Sequence, residues 1–231
     1  MLEYNQIELR ALEIKNRIQK TCILCGRSPD EVHILPVTKT HSVQAVQYAE
    51  GLGFKSVGEN RVQEALEKME HPEAPAVQWE LIGHLQSNKA KLIPGRFLRV
   101  QSLDSIKLAG RLDRYAGEAG VRQACLVQVN TGEDSNKFGF REEEVDHALG
   151  NMLTLTHLEI EGFMTIGPLE GGREAARVAF ARLRELVGRM RVRYGKDFPV
   201  LSMGMSGDLE EAVQEGSTQI RIGSALFGER K

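Results

Sequence analysis

The sequence predicts a single-domain (β/α)8 TIM barrel with an extra N-terminal helix. Three observations carry that prediction. Eight short apolar, β-branched runs recur along the chain. Amphipathic stretches separate them, and alternation of strand and helix argues for parallel pairing. The length of 231 residues then allows about 29 residues per unit, enough for a strand, a crossover helix and two short loops.

Composition narrows the class further. Hydrophobic residues are 41% and charged residues 27% of the chain, which excludes wholesale disorder. Lys plus Arg is 30 against 32 for Asp plus Glu, a net charge of -2. A chain built to neutralise many phosphates is basic, so no nucleic-acid partner is expected. Three cysteines do not make a secreted disulfide scaffold. The opening Met1-Leu-Glu-Tyr-Asn-Gln has neither the basic nor the apolar region of a signal peptide. No stretch reaches the roughly 18 apolar residues of a membrane span. These features predict a soluble, cytoplasmic protein, with one domain over residues 1–231.

The first helix precedes the first strand. Ile7, Ala11, Ile14, Ile18, Cys22 and Cys25 recur at spacings of three and four, one apolar face. Gly26 suits the position after the helix and Pro29 ends any continuation. Cys22 and Cys25 have metal-ligand spacing but no second pair, so both are expected in the core. The eight strands are predicted at Ile34–Lys39, Ser56–Asn60, Gln78–Leu85, Phe97–Ser102, Cys125–Asn130, Leu158–Thr165, Val200–Met205 and Gln219–Phe227. The last long helix, Arg173–Tyr194, places Phe180, Leu183, Val187, Met190 and Tyr194 on one stripe with arginines flanking it.

Barrels carry their reactive groups at the C-terminal ends of the strands. The first strand ends in Val37-Thr38-Lys39-Thr40. Lys39 shares a face with Leu35 and Val37, which puts an ammonium at the rim of a packed interior. The turns after strands seven and eight, Ser206-Gly207-Asp208 and Gly223-Ser224, each combine a hydroxyl with a glycine. Those are the positions at which barrels hold phosphate. Leu209–Glu215 reads as a helix, with Asp208 and Glu211 as a capping box. Arg221 lies two residues before Gly223, hence on the same face. A cation there needs a partner: a carboxylate such as Glu59, or a ligand heteroatom.

An amine, a phosphate cradle and a cation together suggest pyridoxal 5′-phosphate. Schiff-base formation needs the neutral amine, yet an unperturbed lysine is neutral about once in several thousand molecules at pH 7. Lowering its pKa by about three units takes roughly 4 kcal/mol. Desolvation and a nearby Arg221 both act in that direction.

The chain resembles the pyridoxal phosphate homeostasis protein family. The resemblance rests on Val37-Thr-Lys-Thr, Val57-Gly-Glu-Asn-Arg-Val-Gln-Glu, Ile82-Gly-His-Leu-Gln-Ser-Asn-Lys, Val127-Gln-Val-Asn, Gly162-Phe-Met-Thr-Ile-Gly, Leu201-Ser-Met-Gly-Met-Ser-Gly-Asp and Gly216-Ser-Thr-Gln-Ile-Arg-Ile-Gly-Ser-Ala-Leu-Phe-Gly. It implies a barrel like the N-terminal domain of alanine racemase. It also implies covalent pyridoxal 5′-phosphate, as an aldimine on Lys39. The family's phosphate contacts fall on Ser206, Gly207, Gly223 and Ser224, and its ring-nitrogen arginine on Arg221. Asn60 and His84 match pocket positions. Two segments depart from the family pattern: Thr38 stands where serine is usual, and the fifth-strand exit, Thr131-Gly-Glu-Asp-Ser-Asn-Lys-Phe-Gly, leaves the role of Lys137 open.

The expected function is storage and delivery of the cofactor rather than catalysis. Racemisation needs a second base on the opposite face of the carbanion. The racemase-like relatives take a tyrosine from another domain. This sequence ends three residues after Gly228, and Tyr4, Tyr48, Tyr115 and Tyr194 all fall in predicted helices. Arginine at the ring nitrogen only donates, so it weakens the electron sink. A weak amino-acid racemase is the alternative. A basic module around Arg182–Lys196 is a third reading. The expected partners are the cofactor and recipient apoenzymes, and the expected state is a monomer.

Overall fold

The computed structural model describes residues 3–134, 137–168 and 170–228. Eight parallel strands form one sheet: β1 (His33–Pro36), β2 (Ser56–Glu59), β3 (Gln78–Leu81), β4 (Arg99–Leu103), β5 (Gln123–Gln128), β6 (Leu158–Met164), β7 (Val200–Ser202) and β8 (Gln219–Ile222). Their order is β1-β8-β7-β6-β5-β4-β3-β2. A parallel bridge between Val37 and Gly58 joins the two ends, with the Thr38 N–H donating to the Gly58 carbonyl at 3.1 Å. The sheet thus curls into a TIM barrel.

The strands are shorter than the apolar runs suggested. β8 stops at Ile222, and Ser224–Phe227, read from sequence as strand, is a short helix, α8. The preceding helices are α1 (Tyr4–Leu24), α2 (Val43–Gly51), α3 (Val62–Met69), α4 (Ile106–Glu118), α5 (Glu142–Met152), α6 (Gly172–Tyr194) and α7 (Leu209–Gln214). One crossover lacks an α-helix. Between β3 and β4 the chain makes only a 3-10 helix, Ser87–Leu92. Pro94 and Gly95, the latter at φ +76°, stop it before a longer helix can form.

α1 buries Ile7, Ala11, Ile14, Ile18 and Cys22 as predicted. Cys25 is corrected: it caps the helix and is exposed, because the apolar stripe rotates away by the last turn. Gly26 follows at φ +70°. α1 packs against α7 and α8 and is fastened there. Arg17 forks onto Glu210 at 2.7 and 3.0 Å, and Arg27 donates to the carbonyls of Val213 and Ser217. This brace supports the two turns in which the sequence places a phosphate site.

Two apolar regions flank the sheet unequally. Outward residues such as Val57, Leu81, Val100, Val127, Phe163 and Ile220 join the helices in one large core. Leu35, Val37, Leu126 and Met164 are buried apart from it, on the inner side. They share that side with buried polar residues: Glu80, Gln101, Ser202, Gln219 and Arg221. Gly162 permits the closure of β6 on β7, since a Cβ there would meet the Val200 carbonyl oxygen at 1.9 Å.

Candidate functional site

A cavity of about 300 Å³ opens where β1, β7 and β8 end. Lys39, Arg221, Ser206, Gly207, Gly223 and Ser224 line it, with Val37, Ile82 and Met205 as apolar walls and His41 beside them. Six of the eight residues singled out in the sequence therefore meet in one place. Larger clefts lie between Thr131–Asp134 and α6, about 930 Å³, and at the opposite barrel end around Glu80 and Arg99, about 730 Å³. Neither contains Lys39 or the paired Gly-Ser turns.

Lys39 is half-buried, and its neighbours in the chain are pinned. The Thr38 hydroxyl donates to Glu59 Oε1 at 2.6 Å. The Thr38 carbonyl accepts from Lys68 Nζ at 2.8 Å. The Thr40 N–H donates to Glu64 Oε1 at 2.5 Å. Thr40 itself sits at φ +66°, a conformation a β-branched residue rarely adopts. Buried Glu59 and Lys68, with half-buried Glu64, thus hold the backbone on both sides of the lysine.

That cluster corrects one sequence expectation. Glu59 does not pair with Arg221; it pairs with Lys68 at 2.6 Å. Burial pushes the Glu59 carboxyl above its ordinary range, opposed by Lys68 and Thr38. Its Oε2 is buried with no hydrogen-bond partner among the described residues. Burial also acts on Glu64, but hydrogen bonds from Lys68 and the Thr40 amide outweigh it, and its pKa falls.

Arg221 finds its partners on other strands. It donates to Ser202 Oγ at 2.7 Å and to the Thr165 carbonyl at 2.8 Å. Burial pulls its pKa down to about 10, opposed by the charge of Asp208, so it stays cationic at neutral pH. Arginine has five N–H donors; two are spent on protein, and the group still faces the cavity.

The two Gly-Ser turns are tied to each other, with the Ala225 N–H donating to Ser206 Oγ at 3.3 Å. The amides of Gly207, Gly223 and Ser224 make no hydrogen bond to protein among the described residues. Converging unpaired amides suit an anion. The expected capping box is absent. Asp208 accepts from the Met205 N–H at 2.6 Å and makes no side-chain cap to α7; its carboxylate shapes the turn instead.

Asn60 and His84 lie beside this cavity rather than in it. Asn60 is exposed and closes over Gly83, where a Cβ would meet its backbone oxygen at 2.2 Å. His84 stacks on Phe138, centroids 3.8 Å apart, and its Nδ1 lies 2.8 Å from Asp104. Lys137 donates to the Gly167 carbonyl at 2.5 Å, tying the β5 exit to the β6 exit. Lys68 and Ser202 escaped the sequence reading. A lysine on a helix and a serine on a strand carry no mark of burial, and only the fold aims them at Thr38 and Arg221.

Comparison with known proteins agrees with this geometry. Residues 12–231 match the family model described as the alanine racemase N-terminal domain. A pyridoxal phosphate homeostasis protein of Aquifex aeolicus is 37% identical over 222 residues, spanning 96% of this chain and 97% of the relative. One from Pseudomonas aeruginosa is 40% identical over 220 residues, spanning 94% and 93%. PipY of Synechococcus elongatus, solved with PLP bound, superposes with a TM-score of 0.80 at 34% identity, covering 92% of this chain and all of that one (100%). Alanine racemase of Clostridium difficile superposes with a TM-score of 0.79 at 14% identity, covering 99% of this chain and 58% of that enzyme. That likeness concerns the barrel alone. Length-wide identity and the matching family model together establish that this chain belongs to the pyridoxal phosphate homeostasis protein family.

Proposed function

We propose that this chain holds pyridoxal 5′-phosphate as a Schiff base on Lys39, without catalysing a reaction, and so buffers and delivers the cofactor inside the cell. The observation that carries the reading is the single cavity joining Lys39, Arg221 and both Gly-Ser turns. Its volume lies at the lower end of small-molecule pockets, about 300–1,000 Å³. When bound, the cofactor supplies an aldehyde able to condense with an amine. Relatives named for pyridoxal phosphate homeostasis, and PipY solved with PLP bound, support the assignment.

Each residue has a separable task. Lys39 presents Nζ from a backbone held at Thr38 and Thr40. The amides of Gly207, Gly223 and Ser224, with the hydroxyls of Ser206 and Ser224, suit the phosphate oxygens. Arg221 would address the ring nitrogen of the cofactor. Because arginine only donates, it would leave that nitrogen unprotonated and disfavour carbanion chemistry. None of Tyr4, Tyr48, Tyr115 and Tyr194 lines the cavity, which supports a non-catalytic role. His41 does line it and favours the second reading, a weak racemase with His41 as the other base.

The setting follows the same logic. Among the described residues no helix is long and apolar enough to cross a membrane, and Cys22, Cys25 and Cys125 are free thiols. A cytoplasmic monomer serving recipient apoenzymes fits both. The arginines of α6 do not form a bare basic face: Arg173, Arg177, Arg182, Arg184 and Arg193 pair with acidic groups.

Borohydride reduction followed by peptide mass mapping tests the assignment. It should leave a pyridoxyl group on Lys39, and Lys39→Ala should remove both the adduct and the visible band. Incubation with L-amino acids, scored by chiral chromatography, separates the two readings: turnover abolished in Lys39→Ala would establish the racemase.

A further inference from the structure

Barrel interiors are ordinarily filled by Val, Ile and Leu, but a chain of polar groups crosses this one. Arg221 Nη1 donates to Ser202 Oγ at 2.7 Å. Ser202 Oγ donates to Gln101 Oε1 at 2.6 Å. Gln101 Nε2 donates to Glu80 Oε2 and to Gln219 Oε1, both at 2.8 Å. Gln219 Nε2 donates to Glu80 Oε1 at 3.0 Å. Every member is buried.

The donor directions leave no freedom. Arg221 can only donate, so the serine oxygen accepts and its own hydrogen goes to Gln101. Gln101 must then present its carbonyl to Ser202 and its amide nitrogen to Glu80. Reversing any one amide would set donor against donor or acceptor against acceptor. Glu80 receives two further bonds, from Arg99 at 3.0 Å and Ser56 at 3.1 Å, so it serves as an acceptor at both oxygens. The chain therefore runs in one direction, from a cation under the cofactor cavity to a carboxylate near the other end of the barrel.

We infer that Ser202, Gln101 and Glu80 are positioning residues that set the orientation of the Arg221 guanidinium, and through it the electronic character of the bound cofactor. The inference rests on the reading of Arg221 as the group that addresses the cofactor ring. Its physical basis is cost. A buried amide or hydroxyl without partners is costly, so each link holds only while its neighbours keep their direction. The charged groups acting on the chain are Arg99, itself 2.6 Å from Glu161, and Asp208, whose charge acts on Arg221.

Two arms test this. In cofactor-free protein, nuclear magnetic resonance follows exchange of the Arg221 guanidinium hydrogens, assigned with Arg221→Lys. Gln101→Met, which removes the acceptor that fixes the Ser202 hydroxyl, should speed that exchange about fivefold, the factor expected for loss of one neutral hydrogen bond. Should Gln101→Met not fold, Ser202→Ala, which removes one oxygen, asks the same question. In protein loaded with pyridoxal 5′-phosphate, Gln101→Glu sets a second carboxylate against Glu80, and one of such a pair retains its proton to higher pH. The visible band should then acquire a pH transition absent from the wild type. Unchanged guanidinium exchange in Gln101→Met or Ser202→Ala overturns the positioning role. Altered exchange with an unaltered band in Gln101→Glu overturns its reach to the cofactor. A wild-type protein that gains no visible band removes the cofactor reading instead, while the first arm still decides the chain.

Discussion

Lys68 Nζ lies 2.6 Å from Glu59 Oε1, with neither side chain more than 9% exposed. The same ammonium reaches the Thr38 carbonyl and Glu64. One buried cation therefore links the C-terminal end of β2, the first turn of α3 and the residue next to Lys39. Breaking a buried pair costs more than the pair contributes, because the survivor stays uncompensated. Lys68→Met should destabilise the protein by about 3–5 kcal/mol and weaken cofactor retention. Urea denaturation and equilibrium dialysis check the two effects. The double variant Lys68→Met with Glu59→Gln should recover part of the loss, since no bare charge remains.

The pH dependence of stability follows from the same pair. The folded-state pKa of Glu59 is raised above its ordinary 4.5. The folded state holds that proton more tightly than the unfolded chain. Its contribution is present below pH 4.5 and is lost as pH rises through the folded value. Glu64 runs the other way: its pKa is lowered, so its contribution is present above the ordinary value and lost as pH falls. Glu59→Gln should remove the alkaline-side loss and keep the acid-side one. Denaturation midpoints measured from pH 3 to pH 8 check this.

The phosphate cradle proposed for the two Gly-Ser turns predicts a separation of binding from folding. A Cβ at Gly207 meets nothing within 4 Å, and one at Gly223 comes no closer than 3.5 Å to the Val37 carbonyl. Neither glycine has a positive φ. Gly207→Ala and Gly223→Ala should change stability by less than about 0.5 kcal/mol, yet both narrow the cavity and should weaken cofactor retention. Ser206→Ala with Ser224→Ala should weaken it about tenfold, from two lost hydrogen bonds of about 0.5–1.5 kcal/mol each. Thermal melts beside spectroscopic titration distinguish the effects.

Gly162→Ala predicts the converse. The added methyl would collide with the Val200 carbonyl at 1.9 Å, forcing β6 away from β7. Loss of several kcal/mol is expected, of the kind overpacking and backbone shifts produce, even though Gly162 does not line the cavity. A lowered melting temperature without any direct contact to the cofactor is the result to look for.

Arg221→Glu should alter the bound chromophore and destabilise the barrel at once. The substitution removes two hydrogen bonds and buries a carboxylate at the end of a chain built to meet a donor. The absorbance spectrum of the loaded variant, read beside its melting curve, checks both consequences.

Period and punctuation alone determined much of this protein: eight strands in order, a leading helix with a buried stripe, and the strand ends at which Lys39, Arg221 and the two Gly-Ser turns stand. These are local properties, because side-chain alternation, turn chemistry and motif spacing are written into neighbouring residues. The tertiary structure decided the rest. Only barrel closure carries Lys68 to the Thr38 carbonyl, gives Glu59 to that lysine and leaves Arg221 to Ser202. It also sets His84 against Phe138 and Asp104 and Asn60 over Gly83, beside the cavity. Partnership between buried polar groups depends on which strands become neighbours across the barrel, and residues as far apart as Gln101 and Gln219 meet only after that closure.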